Sequence, residues 1–166
     1  SGPAGERSLR GLTNLPMTEI AFYHLQRSPL AAVLPKLLER TLAAGKRALV
    51  LAGSEERVEA LNALLWTQNP NGWLPHGSAA DGSAEAQPIW LTALDQNPNG
   101  AEYIFLTDGM EAADLAPFER CFDLFDGNDD SALEAARDRW RALKDSGHTL
   151  TYWQQNENGK WEEKSG

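Results

Sequence analysis

The sequence predicts one α/β domain with a mostly parallel sheet, and three observations support this fold class. Short, uninterrupted apolar runs recur along the chain, as is typical of parallel strands that are buried on both faces. Segments with helical periodicity lie between several of these runs, as expected for crossover connections. The length of 166 residues leaves little room for a second independent core.

The first predicted strand and helix come early in the chain. The apolar and aromatic run IAFYHL (20–25) predicts a buried strand, and Ser28-Pro29 is typical of a helix start with proline at the first helical position. Pro35 removes a backbone donor within the following segment, so the helix is either kinked at Pro35 or begins there. Gly45 is expected to end it.

A second strand and helix follow directly. RALVLA (47–52) predicts another buried strand. Ser54-Glu55-Glu56 predicts a helix start, because serine caps free backbone N–H groups and acidic residues suit the positive end of a helix. The apolar residues of this helix share one face: Val58, Leu61 and Leu65.

Three further strands are predicted in the second half of the chain. Turn-forming residues dominate between Thr67 and Gly100, and Pro117–Arg120 predicts a single helical turn. The predicted strands are PIWLTAL (88–94), YIFLT (103–107) and CFDLF (121–125).

A last helix and a closing strand or hairpin complete the prediction. The helix starts at Asp130 or Ser131, extends to about Lys144 and is ended by Gly147. HTLTYWQQ (148–155), Asn158-Gly159 and KWEEK then predict a strand or hairpin. The expected core face of the helix comprises Leu133, Ala136, Trp140 and Leu143.

Composition excludes several classes of protein. The net charge of −9 repels a polyanion, so extended contact with a DNA backbone is not expected. The apolar runs are far shorter than the ~20 residues of a membrane-spanning helix, so we expect no membrane association. Cys121 is the only cysteine, and one cysteine with three histidines argues against a disulfide or a structural zinc site. A reducing cytoplasm fits this composition best.

The two ends of the chain are expected to differ from the domain. Residues 1–16 are small and polar, without the apolar region of a secretory signal, and are interpreted as a tag remnant or a disordered leader. We expect the α/β domain to span residues 17–155, and residues 156–166 to form a tail that can complete a hairpin.

The residues expected of an enzyme are scarce. Neither glycine-rich phosphate motif follows a predicted strand, and no nucleophile motif occurs. Gly53-Ser54 is a weak candidate for anion binding that is better explained as a turn and helix cap, and Asp108-Gly109 is better explained as a turn than as a metal ligand. Cys121 is expected to be a buried packing residue. We therefore expect no catalytic residues, cofactor or metal.

The last helix carries a local positive patch. Three cations each lie one residue after a member of the apolar face: Arg137, Arg141 and Lys144. They therefore share an adjoining exposed face of the helix. Three cations on one side of a helix are notable in an acidic chain. A solvated face near a helix C-terminus, where cations are favoured anyway, is the alternative.

Two tryptophans bracket the loop after the second helix. Trp66 lies near the end of that helix, and Trp73 and His76 follow an Asn-Pro-Asn-Gly turn. A pair of indoles beside a loop can line a pocket for an aromatic or aliphatic side chain of a partner. The alternative is that both cap the edge of the core. His76 is expected to be a hydrogen-bonding loop residue.

The order of these segments resembles a known family. The resemblance rests on five segments, and it covers Met17 to about Trp153: FYHL (22–25), Ala-Gly-Lys-Arg (44–47), Ala63-Leu-Leu-Trp66, Trp73-Leu-Pro-His76 and Ala136-Arg-Asp-Arg-Trp140. They resemble the chi subunit of bacterial DNA polymerase III holoenzyme. Residues 77–100 depart from the family pattern, and the segment after Trp153 is longer than in some members.

The resemblance implies a fold, partners and site residues. The fold would be a single-domain, Rossmann-like, three-layer structure with helices on both faces of the sheet. The function would be that of a non-catalytic adaptor that pairs with the psi subunit of the clamp loader and binds the acidic C-terminal tail of single-stranded DNA-binding protein, touching DNA only indirectly. That tail ends in an aromatic residue with a free carboxylate. The implied tail-binding residues are Trp66, Trp73, Arg137, Arg141 and Lys144.

Two other classes of function stay open at this stage. One is a degenerate nucleotide-binding α/β enzyme that uses the Gly53-Ser54 turn. The other is direct binding of single-stranded DNA by stacking of bases on Trp66 and Trp73. Titrations with ATP and Mg²⁺, with oligonucleotides and with a tail peptide would separate the three.

Overall fold

The computed structural model describes residues 18–68, 77–78 and 87–164. Its strands are Glu19–Leu25 (β1), Ala48–Leu51 (β2), Gly77–Ser78 (β3), Ile89–Thr92 (β4), Tyr103–Leu106 (β5), Arg120–Asp126 (β6), Thr149–Gln155 (β7) and Trp161–Lys164 (β8). Its helices are Leu30–Ala43 (α1), Glu55–Gln68 (α2) and Asp130–Asp145 (α3).

The described strands form one sheet in the order β3-β4-β2-β5-β6-β1-β7-β8. Every neighbouring pair is parallel except β7 and β8, which are antiparallel. The predicted α/β class with a mostly parallel sheet is therefore confirmed.

Helices cover both faces of this sheet. On one face, Leu34 and Leu38 of α1 and Leu65 of α2 pack in the same apolar cluster as Val50 and Phe105 of the sheet. On the other face, a second cluster contains α3 residues together with side chains of the alternate strand positions, including Phe22, Ile104, Ala136 and Trp140. The result is the three-layer arrangement that the resemblance implied.

The crossover connections that follow β1 and β6 run in opposite directions along the sheet. From β1 the chain passes through α1 to β2, and from β6 it passes through α3 to β7 on the far side of β1. Because such crossovers are right-handed, the two helices lie on opposite faces of the sheet. The carboxyl ends of the neighbouring strands β1 and β6 therefore border a crevice, as in other open α/β sheets.

The start of α1 differs from one of the two predicted alternatives. The Pro29 carbonyl accepts the N–H groups of Ala32 and Val33, so the first turn is complete before Pro35. The helix is continuous from Leu30 to Ala43, and Pro35 lies inside it with its ring buried. A helix start at Pro35 is wrong, because buried residues such as Val33 already anchor the earlier turn to the core.

The predicted helical turn over Pro117–Arg120 is also wrong. A tight turn lies slightly earlier, where the Phe118 N–H donates to the Leu115 carbonyl. Arg120 is the first residue of β6, because it lies in register with Glu19 of β1 and Tyr103 of β5. Pairing with two strands takes precedence over local helical geometry.

The end of the chain follows the prediction closely. Helix α3 begins at Asp130, and the side chain of Asp129 caps it by accepting the N–H groups of Ser131 and Ala132. Gly147 follows the helix with a positive φ of 86°. Strands β7 and β8 form the predicted hairpin around Asn158-Gly159, and β8 extends the edge of the sheet.

Candidate peptide-binding site

Helix α3 presents the three predicted cations to solvent. Arg137, Arg141 and Lys144 are all exposed. Arg141 forms an ion pair with Asp138, one turn earlier. Within the part of the chain that the structure describes, Arg137 and Lys144 have no hydrogen bond or ion pair, so both are available to an anion.

The apolar face of α3 lies as predicted. Ala136 is buried, and the other three members are partly buried against the same cluster: Leu133, Trp140 and Leu143. The Trp140 ring packs edge-on against Phe22, with centroids 5.3 Å apart, and against Tyr152 of β7, with centroids 5.8 Å apart. Trp140 is therefore a core residue that keeps part of its ring accessible.

Arg137 lies close to a pair of polar aromatic side chains. The Tyr152 hydroxyl and the Nδ1 of His24 are 2.6 Å apart. Burial, and next the positive charge of Arg137, hold the pKa of His24 below its usual value. Burial raises the pKa of Tyr152, and Arg137 opposes that shift. The positive charge of Arg137 therefore acts on both of these groups.

The remaining arginine of α3, Arg139, has a structural role that the sequence pattern did not reveal. Arg139 is 7% exposed, and it binds the 2% exposed Asp123 of β6 in a two-point ion pair with distances of 2.7 and 3.0 Å. Burial raises the pKa of Asp123 although Arg139 opposes the shift. A signal was present, because an aspartate in the middle of the apolar run CFDLF requires a buried partner.

The helix that carries Trp66 lies on the face of the sheet opposite α3. Trp66 belongs to α2, which packs on the opposite face of the sheet and contacts β3 and β4, whereas α3 contacts β6 and β7. Strands β4 and β6 are three strand spacings apart, about 14 Å along the sheet. Trp73 and His76 lie outside the described residues. The structure therefore brings the three cations together on α3, and it places helix α2 on the other face of the sheet.

This separation changes the expected binding geometry. The ring and the carboxylate of one C-terminal residue are only a few bonds apart. A C-terminal residue whose carboxylate binds Arg137 therefore places its ring near the α3 face of the sheet. The partly exposed rings on the Arg137 side of the sheet are those of Trp140 and Tyr152.

Comparison with known proteins supports the resemblance. Residues 17–151 match the family model described as "DNA polymerase III chi subunit, HolC". The chain belongs to the DNA polymerase III chi subunit family. It is 26% identical over 109 residues to the "Probable DNA polymerase III subunit chi" of Rickettsia prowazekii (strain Madrid E), a match that covers 66% of each chain. It is also 26% identical over 107 residues to the "DNA polymerase III subunit chi" of Escherichia coli (strain K12), which covers 64% of this chain and 72% of the relative.

Side chains of the protein itself take the hydrogen bonds that the Gly53-Ser54 turn could offer to an anion. The Gly53 N–H donates to Oδ2 of Asp108 at 3.0 Å, and Nε of Arg57 lies 3.2 Å from the same oxygen. Oγ of Ser54 accepts the Arg57 N–H as a helix cap. An internal carboxylate thus holds the amide that a phosphate would need, which favours the interpretation as a turn and cap.

The crevice between β1 and β6 encloses a cavity of about 880 Å³. Three arginines line it, and two of them are bound to carboxylates of the chain: Arg57 to Asp108 and Arg139 to Asp123. The third is the exposed Arg27. Asp126 and Asp129 also line this cavity, so its charges offset one another and do not form a phosphate cradle.

Other classes of site were searched within the described residues. No group of three His, Cys, Asp or Glu side chains there has the arrangement of a metal site. Cys121 is 1% exposed, and burial raises the pKa of its thiol, as expected for a packing residue. None of the described helices is both long enough and apolar enough to cross a bilayer.

Proposed function

We propose that this chi-family chain is a non-catalytic adaptor of the bacterial replicative DNA polymerase III holoenzyme. It links the clamp loader, through the psi subunit, to the acidic C-terminal tail of single-stranded DNA-binding protein, and this link reaches DNA only indirectly. Family membership supports the place in the polymerase assembly and a cytoplasmic setting. The psi and tail contacts are the finer part of the proposal.

The observation that supports tail binding is the pair of available cations on α3. Arg137 and Lys144 are exposed on a chain of net charge −9, and no described residue pairs with either. A guanidinium binds a carboxylate through two parallel hydrogen bonds, which makes Arg137 the natural contact for a C-terminal carboxylate. Arg141 and Lys144 then face the acidic residues that precede it.

The aromatic residue of the tail fits on the same face of the sheet. Trp140 and Tyr152 pack together beside Arg137 and are both partly exposed. An aromatic ring that packs against them gains area burial and the preferred geometry of ring pairs. The contacts of Trp66 and Trp73 with the tail, which the resemblance implies, stay predictions.

A calorimetric titration tests the proposal. An acidic peptide with a C-terminal phenylalanine should bind with its free carboxylate and bind much more weakly when that carboxylate is amidated. Arg137→Ala should reproduce the loss, whereas Arg27→Ala, which removes an exposed arginine outside α3, should not. Equal affinity for the free and amidated peptides would contradict carboxylate recognition by Arg137.

An enzymatic alternative is tested separately. ATP with Mg²⁺ should neither raise the melting temperature of the protein nor be turned over. Turnover that is lost in a Ser54→Ala variant would establish the nucleotide-binding alternative.

A further inference from the structure

A second surface combines aromatic rings with cations, and it lies on the face of the sheet opposite α3. Helix α1 does not extend over β7 and β8, so a groove of about 450 Å³ is left between α1 and the β7–β8 hairpin. The groove residues relevant here are Tyr23, Lys36, Arg40, Arg120, Trp153 and Trp161.

The aromatic wall of the groove is built by the closing hairpin. Tyr23 of β1 stacks on Trp153 of β7 with centroids 6.3 Å apart, and packs edge-on against Trp161 of β8 with centroids 5.1 Å apart. All three rings are partly buried. The register pairs Gln155 with Trp161, so both hairpin tryptophans point to the same side of the sheet. The hairpin thus leaves part of both indole rings accessible.

The opposite wall of the groove is positively charged. Lys36 and Arg40 are one turn apart on α1, exposed, and without a hydrogen bond or ion pair to any described residue. Arg120 lies 3.7 Å from Glu19, but its Nε has no hydrogen-bond partner. The Arg120 guanidinium lies over the rings of Phe122 and Tyr103, with its central carbon 4.9 and 5.7 Å from the two ring centroids.

One backbone donor at the groove is already engaged within the chain. The Ser28 N–H is already taken by the side-chain oxygen of Gln155. The side-chain amide of Gln155 in turn donates to Oγ of Ser28 and to the Gly159 carbonyl. Peptides that bind in grooves obtain much of their affinity from main-chain hydrogen bonds. A ligand that is recognised by stacking and by charge fits better.

We propose that this groove binds a nucleotide unit, with its base against Trp153 and Trp161 and its phosphate among Lys36, Arg40 and Arg120. Aromatic platforms beside cations are the general means of binding single-stranded nucleic acid, because every base has a π face and every linkage has a charge. The volume is also within the range of small-molecule sites. The same chemistry serves a free mononucleotide or one nucleotide of a single strand.

The test uses dTMP and a short oligo(dT) as the probes. The NMR signals of the indole N–H groups of Trp153 and Trp161, assigned with Trp153→Phe and Trp161→Phe, should shift on titration at low salt. Stronger binding of oligo(dT) than of dTMP would identify a single strand as the source of the nucleotide, and equal binding would identify the free nucleotide. The absence of shifts with both probes would overturn the proposal.

Charge reversal provides the matched control. Lys36→Glu with Arg40→Glu should weaken binding at least about tenfold, because it replaces two phosphate-facing cations by anions. Lys144→Glu changes an exposed cation on α3. It should leave nucleotide binding intact while lowering the affinity for the acidic peptide. Unchanged binding in the α1 double variant would overturn the proposal, and so would displacement of the nucleotide by the acidic peptide. Because the two surfaces lie on opposite faces, failure here and failure of tail binding are distinguishable.

Discussion

Arg139 of α3 and Asp123 of β6 form an ion pair that is buried between the helix and the centre of the sheet. It lies one residue from Trp140 and two from Arg137 on α3. The ion pair therefore fixes the rotation of the helix about its axis, with Arg137 exposed to solvent. A buried contact thus positions an exposed candidate binding residue.

Removing one partner of this pair should be strongly destabilising. Arg139→Met leaves the Asp123 carboxylate buried without a counter-charge, and the free energy of unfolding in urea should fall by about 3–5 kcal/mol. Arg141→Met, on the exposed side of the same helix, should change it by less than about 0.5 kcal/mol. Asp123→Leu combined with Arg139→Met should recover most of the loss, since an apolar pair avoids the cost of burying charge. A stable single Arg139→Met variant would contradict the structural role of the pair.

The stability of the domain should depend on pH through His24. Burial and the charge of Arg137 lower the folded-state pKa of His24 from the usual 6.5, although Asp126 opposes the shift. At pH values between the folded and the usual pKa, the unfolded chain binds more protons than the folded chain. The free energy of unfolding should therefore decrease as the pH falls below about 6.5.

Thermal melts across this pH range measure the effect. His24→Gln should flatten the decrease, whereas His148→Gln, which changes the other described histidine, should leave it in place. An identical pH profile for His24→Gln and the parent would exclude His24 as its source.

Local sequence signals predicted the elements better than they predicted the site. The strands over 20–25 and 121–125 and the hairpin at Asn158-Gly159 follow from hydrophobic pattern and turn chemistry, which act over a few residues. The relation between Trp66 and Arg137 depends on strand order and on the direction of the crossovers. Neither is encoded locally, so residue patterns alone do not show whether α2 and α3 lie on one face of the sheet. The grouping of Trp66 with Arg137 rests on the family resemblance and stays a prediction.

Trp66→Ala tests this separation directly. If the tail peptide binds beside α3, the variant should retain the affinity of the parent, because α2 lies on the other face of the sheet. Trp140→Leu removes an indole on the α3 face and should lower the affinity for the tail peptide. Calorimetry of both variants, with circular dichroism to confirm folding, measures the difference. If folded Trp66→Ala protein loses affinity and Trp140→Leu does not, the aromatic ring of the tail binds at α2 and not at α3.

Arg137→Ala should weaken binding of the tail peptide by about 1.5–3 kcal/mol, the range for a charge-assisted hydrogen bond, with little effect on folding.

Because Arg137 and Lys144 are exposed, the affinity of the parent should also fall as salt is raised, and the affinity of the Arg137→Ala variant should depend less steeply on salt. The apolar contact with Trp140 and Tyr152 is not screened by salt, so a residual affinity should persist when the Debye length is about 3 Å, near 1 M salt. Titrations over a salt series give both slopes. Salt-independent binding by the parent would argue against the basic face of α3 and for an apolar pocket elsewhere on the chain.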